Sequence, residues 1–387
     1  MSAVVALGGL GLDEGGLTLV RRALAGAALG EPVRVVGTHP LLGLHLPVIA
    51  RAGGFSCALA SDGATLTRVA PAMPAEDAGG LQQVVERPPA RWGLAARGAQ
   101  VERDSPGLEV ALDHKLEVWT DDAARIYAAA AAAQWDPETA IPWASLPALP
   151  DPIEDAVVQV MTYLIENETA ALLVPARFLA QVHPHFREIL QVLATIVADE
   201  ARHIEVFTRR ASARRARLGT SRAGGQQSLL TLVTEPDFAL ASFLLSVLGE
   251  GSFLSLLRFL AEQGPDPVTR QICRLAAQDE ARHVAFGLAH LARHASLDPT
   301  LHARLVAAVE RRHAALQDTA GLNDDVYDAL VILAAGSLAP EAIGAGHAAV
   351  LRLQAEMDHG RRVRLGLLGF APDQAEALSA LHTRNFM

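Results

Sequence analysis

The sequence predicts a mainly α chain, an antiparallel four-helix bundle with additional C-terminal helices and a smaller mixed N-terminal region. Three observations carry this expectation. Half of the 387 residues are apolar but only 5% are aromatic, so the core consists largely of Ala, Leu and Val, a composition suited to closely packed helices. From about residue 119 onward, apolar residues recur with helical spacing in runs of roughly 25 to 30 residues, too long for the helices of a compact globular α fold. Before that point, short apolar runs are cut by Gly and Pro, and several alternate with period two.

Residues 1–118 therefore read as a small mixed α/β or β-rich region. "PVRVVG", "LHLPVIA", "FSCALAS" and "LEVALDHKLEVW" read as short strands with some loop, and "LTLVRRALAGAAL" as an early helix. "GGLGLDEGG" lacks the G-x-G-x-x-G spacing of a dinucleotide site and reads as loop. Residues 119–387 form the helical domain. Its first segment, "TDDAARIYAAAAAAQWDPE", opens on capping residues and ends before Pro137. The four bundle helices are expected at 153–181, 184–217, 236–263 and 266–295. Further helices follow at 300–318, 324–336, 340–368 and 372–382.

The totals exclude several function classes. A net charge of −10 argues against nucleic acid as a partner. Two cysteines, Cys57 and Cys273, provide neither a disulfide scaffold nor a thiolate metal cluster. The opening "MSAVVALGGLGLDEGG" lacks the basic start and apolar core of a secretory signal, so a cytoplasmic location is expected. "FALASFLLSVLGEGSFLSLL" is long enough to cross a bilayer, but it stands alone and is expected to be a buried bundle helix. No membrane span is expected.

The pentapeptide "DEARH" occurs twice, at 199–203 and 279–283. In a helix, positions i and i+3 share a face, so Glu200 with His203 and Glu280 with His283 each present a carboxylate and an imidazole to one point. Glu250 is the only charge in its apolar run, and an ionised carboxylate there needs a partner or a metal. It precedes Glu280 by 30 residues, the length of one helix, a turn and a return. In "YLIENETAALLVP", Glu168 precedes Glu200 by 32 residues and Glu166 by 34. The stripe through Met161, Leu164 and Leu172 favours Glu168, with Glu166 kept as the alternative. Two half-sites of the form E…E-x-x-H result. Four carboxylates and two imidazoles make a hard, oxygen-rich site for two iron ions, with manganese as the other candidate. No H-E-x-x-H motif is present, so a zincin reading fails.

Over about residues 153–295 these motifs resemble the ferritin-like di-iron carboxylate superfamily, which includes ribonucleotide reductase small subunits, desaturases, multicomponent monooxygenases and arylamine N-oxygenases. The resemblance implies a ferritin-like bundle and metal positions at Glu168, Glu200, His203, Glu250, Glu280 and His283. It implies bridging roles for Glu200 and Glu280, and catalytic roles for both together with Glu250. It also implies that Asp199 and Asp279 hold the ligand histidine of the opposite helix, with Arg202 and Arg282 as anchors or surface residues. The implied activity is that of an oxygenase or oxidase with O2 as co-substrate. An iron-storage or ferroxidase role, or a non-catalytic one, is the alternative. Ala276 stands where arylamine N-oxygenases carry an extra metal-binding His, a departure from that branch.

The long additions around the bundle suggest a pocket for a small organic substrate. Phe243, Phe253, Leu254 and Phe286 suggest that this substrate is partly apolar. Gly249 and Gly251 imply either space for a ligand or the close approach of another helix. Tyr163 reads as a core residue rather than a radical site, and His359 and His382 as candidates to face a pocket. An external electron donor and a homodimer are left open.

Overall fold

A computed structural model describes residues 3–70, 75–316 and 324–382 of the chain. It divides into two compact units, Met1–Ala78 with Ala99–Ser105, and Gly79–Gly98 with Pro106–Met387. Residues 79–98 and 106–118, grouped by sequence with the N-terminal region, thus cluster with the helices.

The first unit contains β1 (Ala3–Gly8), α1 (Leu17–Ala25), β2 (Pro32–Gly37), α2 (Leu42–Ala52), β3 (Phe55–Ala60), β4 (Gly63–Arg68), β5 (Ala75–Asp77) and β6 (Gln100–Glu102). The four-stranded sheet has the order β1-β2-β4-β3. β1 and β2 run parallel, which requires a crossover, and α1 supplies it. β3 and β4 form an antiparallel hairpin whose Gly63 sits at φ 149°, where a Cβ would collide with the Val35 carbonyl of β2. Val20, Leu24, Val33, Val35, Leu46 and Leu66 fill the core between helix and sheet.

Two expectations are corrected in this part of the chain. "LHLPVIA" lies in helix α2 rather than a strand: Leu42, Leu46 and Ala50 are buried while Leu44 and Val48, which a strand would place on the same face, are exposed. "LEVALDHKLEVW" contains no strand; it is irregular apart from the short helix α3 (Lys115–Val118) and a single bridge from Leu112 to Val182.

The second unit continues with α4 (Ala123–Ala132), α5 (Asp151–Leu179), α6 (Arg187–Ser212), α7 (Ala223–Val233) and α8 (Phe238–Ser242). A π-helical stretch, Phe243–Glu250, leads directly into α9 (Gly251–Gln263). Then come α10 (Pro267–Leu297), α11 (Leu301–Leu316), α12 (Asp324–Ala335), α13 (Pro340–Leu367) and α14 (Pro372–His382). α5, α6, the continuous α8–α9 rod and α10 form the antiparallel four-helix bundle, since short connections turn α5 back as α6 and α9 back as α10. Helix α10 begins cleanly: Asp266 caps it by accepting from the Thr269 N–H at 2.8 Å, and Pro267 occupies the first position. Helix α7 was not expected from the sequence.

The apolar, membrane-length stretch Phe238–Gln263 has 89% of its most apolar window buried within the protein. Two hydrophobic clusters stack along the bundle. One contains Met161, Leu164, Phe207, Phe253 and Ile272, and the other Ala171, Val174, Ile196, Phe243 and Phe286. Each bundle helix crosses from one cluster to the other, and a layer of buried acids and histidines separates them.

Candidate metal centre

That layer consists of Glu168 from α5, Glu200 and His203 from α6, Glu250 from the end of the π-helical stretch, and Glu280 and His283 from α10. None is more than 2% exposed. Ligand atoms of Glu168, Glu200, His203 and Glu280 all lie within 4.8 Å of one another, and those of Glu200, Glu250, Glu280 and His283 do the same. The two sets share Glu200 and Glu280. His203 Nδ1 lies 3.4 Å from Glu168 Oε2 and 3.5 Å from Glu200 Oε2; His283 Nδ1 lies 3.0 Å from Glu200 Oε1 and 3.4 Å from Glu280 Oε2. Glu166, two positions from Glu168, is partly exposed and belongs to neither set.

The electrostatics of this layer call for cations. Burial, and then the neighbouring Glu200 charge, push the Glu168 carboxyl well above its ordinary range. Burial and the Glu280 charge do the same to Glu250. Four buried carboxylates this close cannot all ionise without compensating positive charge. Among the described residues, both oxygens of Glu200, Glu250 and Glu280, one of Glu168, and Nδ1 of His283 are buried without a well-aligned hydrogen-bond partner, close as His283 Nδ1 lies to Glu200 Oε1. In a packed core such orphaned acceptors are rare, and two bound cations would satisfy them all. The donor set therefore fits a pair of hard divalent ions.

Around it, hydrogen bonds cross between helices. His203 Nε2 pairs with Asp279 Oδ2 at 3.1 Å and His283 Nε2 with Asp199 Oδ2 at 3.3 Å, so each imidazole turns Nδ1 toward the carboxylates. Arg202 ties the two halves by donating to both Asp199 and Asp279, while Arg282 donates to Asp279. Sequence reasoning missed two contributors, both just beyond α4. Gln134 donates to Asp199 Oδ1 at 2.9 Å, and Trp135 Nε1 donates to Asp279 Oδ2 at 2.8 Å. The Trp135 ring stacks on His203 at 6.4 Å between centroids, and the Arg202 guanidinium lies over the Trp135 ring, 4.6 Å from its centroid. An unpatterned Trp just before Asp136-Pro137 was the only available signal. Beside this network a cavity of about 10 Å³, water-sized, is lined by Ile126, Tyr127, Val192, Ile196, Asp199 and His283.

Asp279 gathers His203, Trp135, Arg202 and Arg282, so its removal should be costly. Asp279→Ala is expected to weaken metal binding by about 10- to 100-fold, the usual effect of losing the carboxylate behind a ligand histidine. Titration against a chromophoric chelator measures this, with circular dichroism checking the fold. Unchanged affinity would refute a supporting role for Asp279.

Other residues fall differently. Tyr163 is buried against Phe253, and burial raises its hydroxyl well above the ordinary tyrosine range, as for a core residue. His359 is exposed, whereas His382 is buried. Gly251 makes room for a neighbouring helix, since a Cβ there would collide with Arg364 Nε of α13. Gly287 similarly lets Ser246 approach α10.

Two E-x-x-H helices facing two further glutamates across one bundle match the layout of the ferritin-like di-metal proteins. The fold is of that type. No family model matches the sequence, and no curated protein matches it. Among solved structures, the chain is similar to a protein with aldehyde deformylating oxidase activity from Synechococcus, at 21% identity over 59% of this chain and 96% of that one, with a TM-score of 0.43. It is also similar to an R2-like ligand-binding oxidase with an aerobically reconstituted Mn/Fe cofactor, at 15% identity over 70% and 95% of the two chains, with a TM-score of 0.41. A further R2-like ligand-binding oxidase, with an aerobically reconstituted metal cofactor after photoconversion, matches at 17% identity over 68% and 92%, with a TM-score of 0.42.

Proposed function

We propose that the protein holds two iron ions, or manganese in one or both places, and uses O2 to oxidise a small, partly apolar organic molecule. The observation that carries this reading is the pair of overlapping ligand sets sharing Glu200 and Glu280. Glu168 and His203 would hold one ion, Glu250 and His283 the other, and the shared carboxylates would bridge them. When bound, such a metal pair supplies the electrons that reduce O2 and makes oxidation of a nearby substrate feasible. The chain's own residues fix the geometry. Asp199 and Asp279 keep each imidazole Nδ1 turned inward, and Arg202 locks the two aspartates together. The apolar clusters on both sides of the layer, including Phe243, Phe253 and Phe286, exclude water and favour an apolar substrate body.

Anaerobic loading with ferrous iron should give close to two equivalents per chain, followed by a spectral change on adding O2. Glu200→Ala and His283→Ala should each lower that number while leaving the helical circular dichroism largely intact. Stoichiometric zinc with no iron uptake would defeat the oxidase reading. Consumption of O2 with deposition of ferric mineral in a multi-subunit shell would establish storage instead.

A further inference from the structure

A second group of buried charges lies away from the metal layer, where α13 and α14 meet the helix that carries Glu250. Arg361 is only 2% exposed, and its guanidinium donates to two neutral hydroxyls, Ser379 Oγ at 3.0 Å and Ser252 Oγ at 3.1 Å. One turn further along α13, Arg364 Nε donates to the Val247 carbonyl at 2.6 Å, and its Nη2 is buried without a partner among the described residues. His382, at the end of α14, is 7% exposed, and its Nε2 is likewise buried and unpartnered among the described residues. Among the described residues neither guanidinium has an ion-pair partner. The nearby acid, Asp358, is already engaged, accepting from Ser379 Oγ at 2.7 Å and pairing with Arg362 at 2.7 Å.

Two buried guanidiniums with only neutral partners are costly, because a desolvated charge needs an opposite charge nearby. Burial pulls both Arg361 and Arg364 down to about 10, so both remain cationic at neutral pH. Burial, together with the charges of Arg312, Arg361 and Arg364, pushes His382 well below its ordinary value. The surroundings are apolar. Met357 and Leu365, one turn before and after Arg361, are buried, as is Leu378, one turn before His382.

We propose that Arg361, Arg364 and His382 form a second binding site, for a small organic carboxylate with an apolar body. The planar forks of two arginines match a carboxylate, and the apolar neighbours match the rest of such a ligand. The site is separate from the metal centre. Arg361 touches Ser252, which lies two residues past Glu250 and so points about 200° around the helix from it. Gly251, between them, is the residue that admits the Arg364 side chain.

The test uses the full-length protein, with benzoate as probe and acetate and inorganic phosphate as comparisons, read by calorimetric melting and by titration calorimetry. Benzoate should raise Tm saturably by about 2–4 °C, acetate by less. Arg361→Met and Arg364→Met should each weaken benzoate binding at least about tenfold, a loss in line with removing one charge-assisted contact. Their Tm without ligand should match or exceed that of the wild type, because no ion pair is lost. Arg364→Lys keeps the charge and should retain part of the binding. Glu200→Ala should retain all of it. The proposal is overturned if benzoate gives no saturable shift, or if phosphate protects and benzoate does not. It is equally overturned if both Met variants bind like wild type, or if Glu200→Ala abolishes binding and so locates the ligand at the metals.

Discussion

Glu168→Ala protein, loaded anaerobically with ferrous iron, is expected to show no O2-dependent oxidation and to retain about one metal equivalent rather than two, since its half of the site loses an anionic ligand. Glu166→Ala, made two positions away, should behave almost like wild type. Successive helical positions are rotated by about 100°, so the two carboxylates point roughly 200° apart and only one can reach the metals. Glu168 is 1% exposed, 3.4 Å from His203 Nδ1 through one oxygen and orphaned at the other. Glu166 is partly exposed. Stopped-flow spectra after mixing with O2, together with metal analysis, read both variants. Loss of the reaction in Glu166→Ala, with Glu168→Ala unaffected, would mean that the α5 carboxylate has been assigned to the wrong face.

The convergence of the candidate ligands is legible in the sequence because its information is local. An E-x-x-H pair declares its shared face through helix geometry alone, and Glu250 stands out as a single charge in an apolar run. What failed to show was information that depends on distant contacts or on mixed local signals. Helix α2 has Pro47 inside it and apolar residues on most sides, so its run reads as a short strand until the sheet of its own unit buries Leu42, Leu46 and Ala50. Helix α7 carries Gly224 and Gly225 in its first turn and buries only Ser228 and Leu232, a faint stripe in a segment that otherwise looks like a break. Trp135 meets Asp279 from 144 residues away, a pairing that no window of sequence contains. Even the π-helical stretch that ends at Glu250 is invisible to periodicity, since its wider turns differ from an α-helix by a single shifted hydrogen bond per residue.

Arg210→Ala is expected to destabilise the protein by about 3–5 kcal/mol, the usual consequence of leaving buried charges uncompensated. Arg210 is fully buried near the end of α6, and its guanidinium binds three partners from two other helical segments. It pairs with Glu154 of α5 through Nη1 at 2.7 Å and with Asp266 through Nη2 at 2.9 Å, and its Nε donates to Thr269 Oγ1 at 3.0 Å. Asp266 is the cap of α10, so one side chain joins three of the four bundle helices at the end beyond the Met161 and Phe207 cluster. Removing Arg210 strands Glu154 and Asp266, both at most 1% exposed, without a cation. The double variant Arg210→Met with Glu154→Leu should recover much of the loss, because it removes charge on both sides and refills the volume, while Asp266 keeps its capping bonds. Urea unfolding followed by circular dichroism measures all three proteins. An Arg210→Ala penalty below about 1 kcal/mol would be the size expected of an exposed pair, and would show that water reaches this end of the bundle and screens the carboxylates.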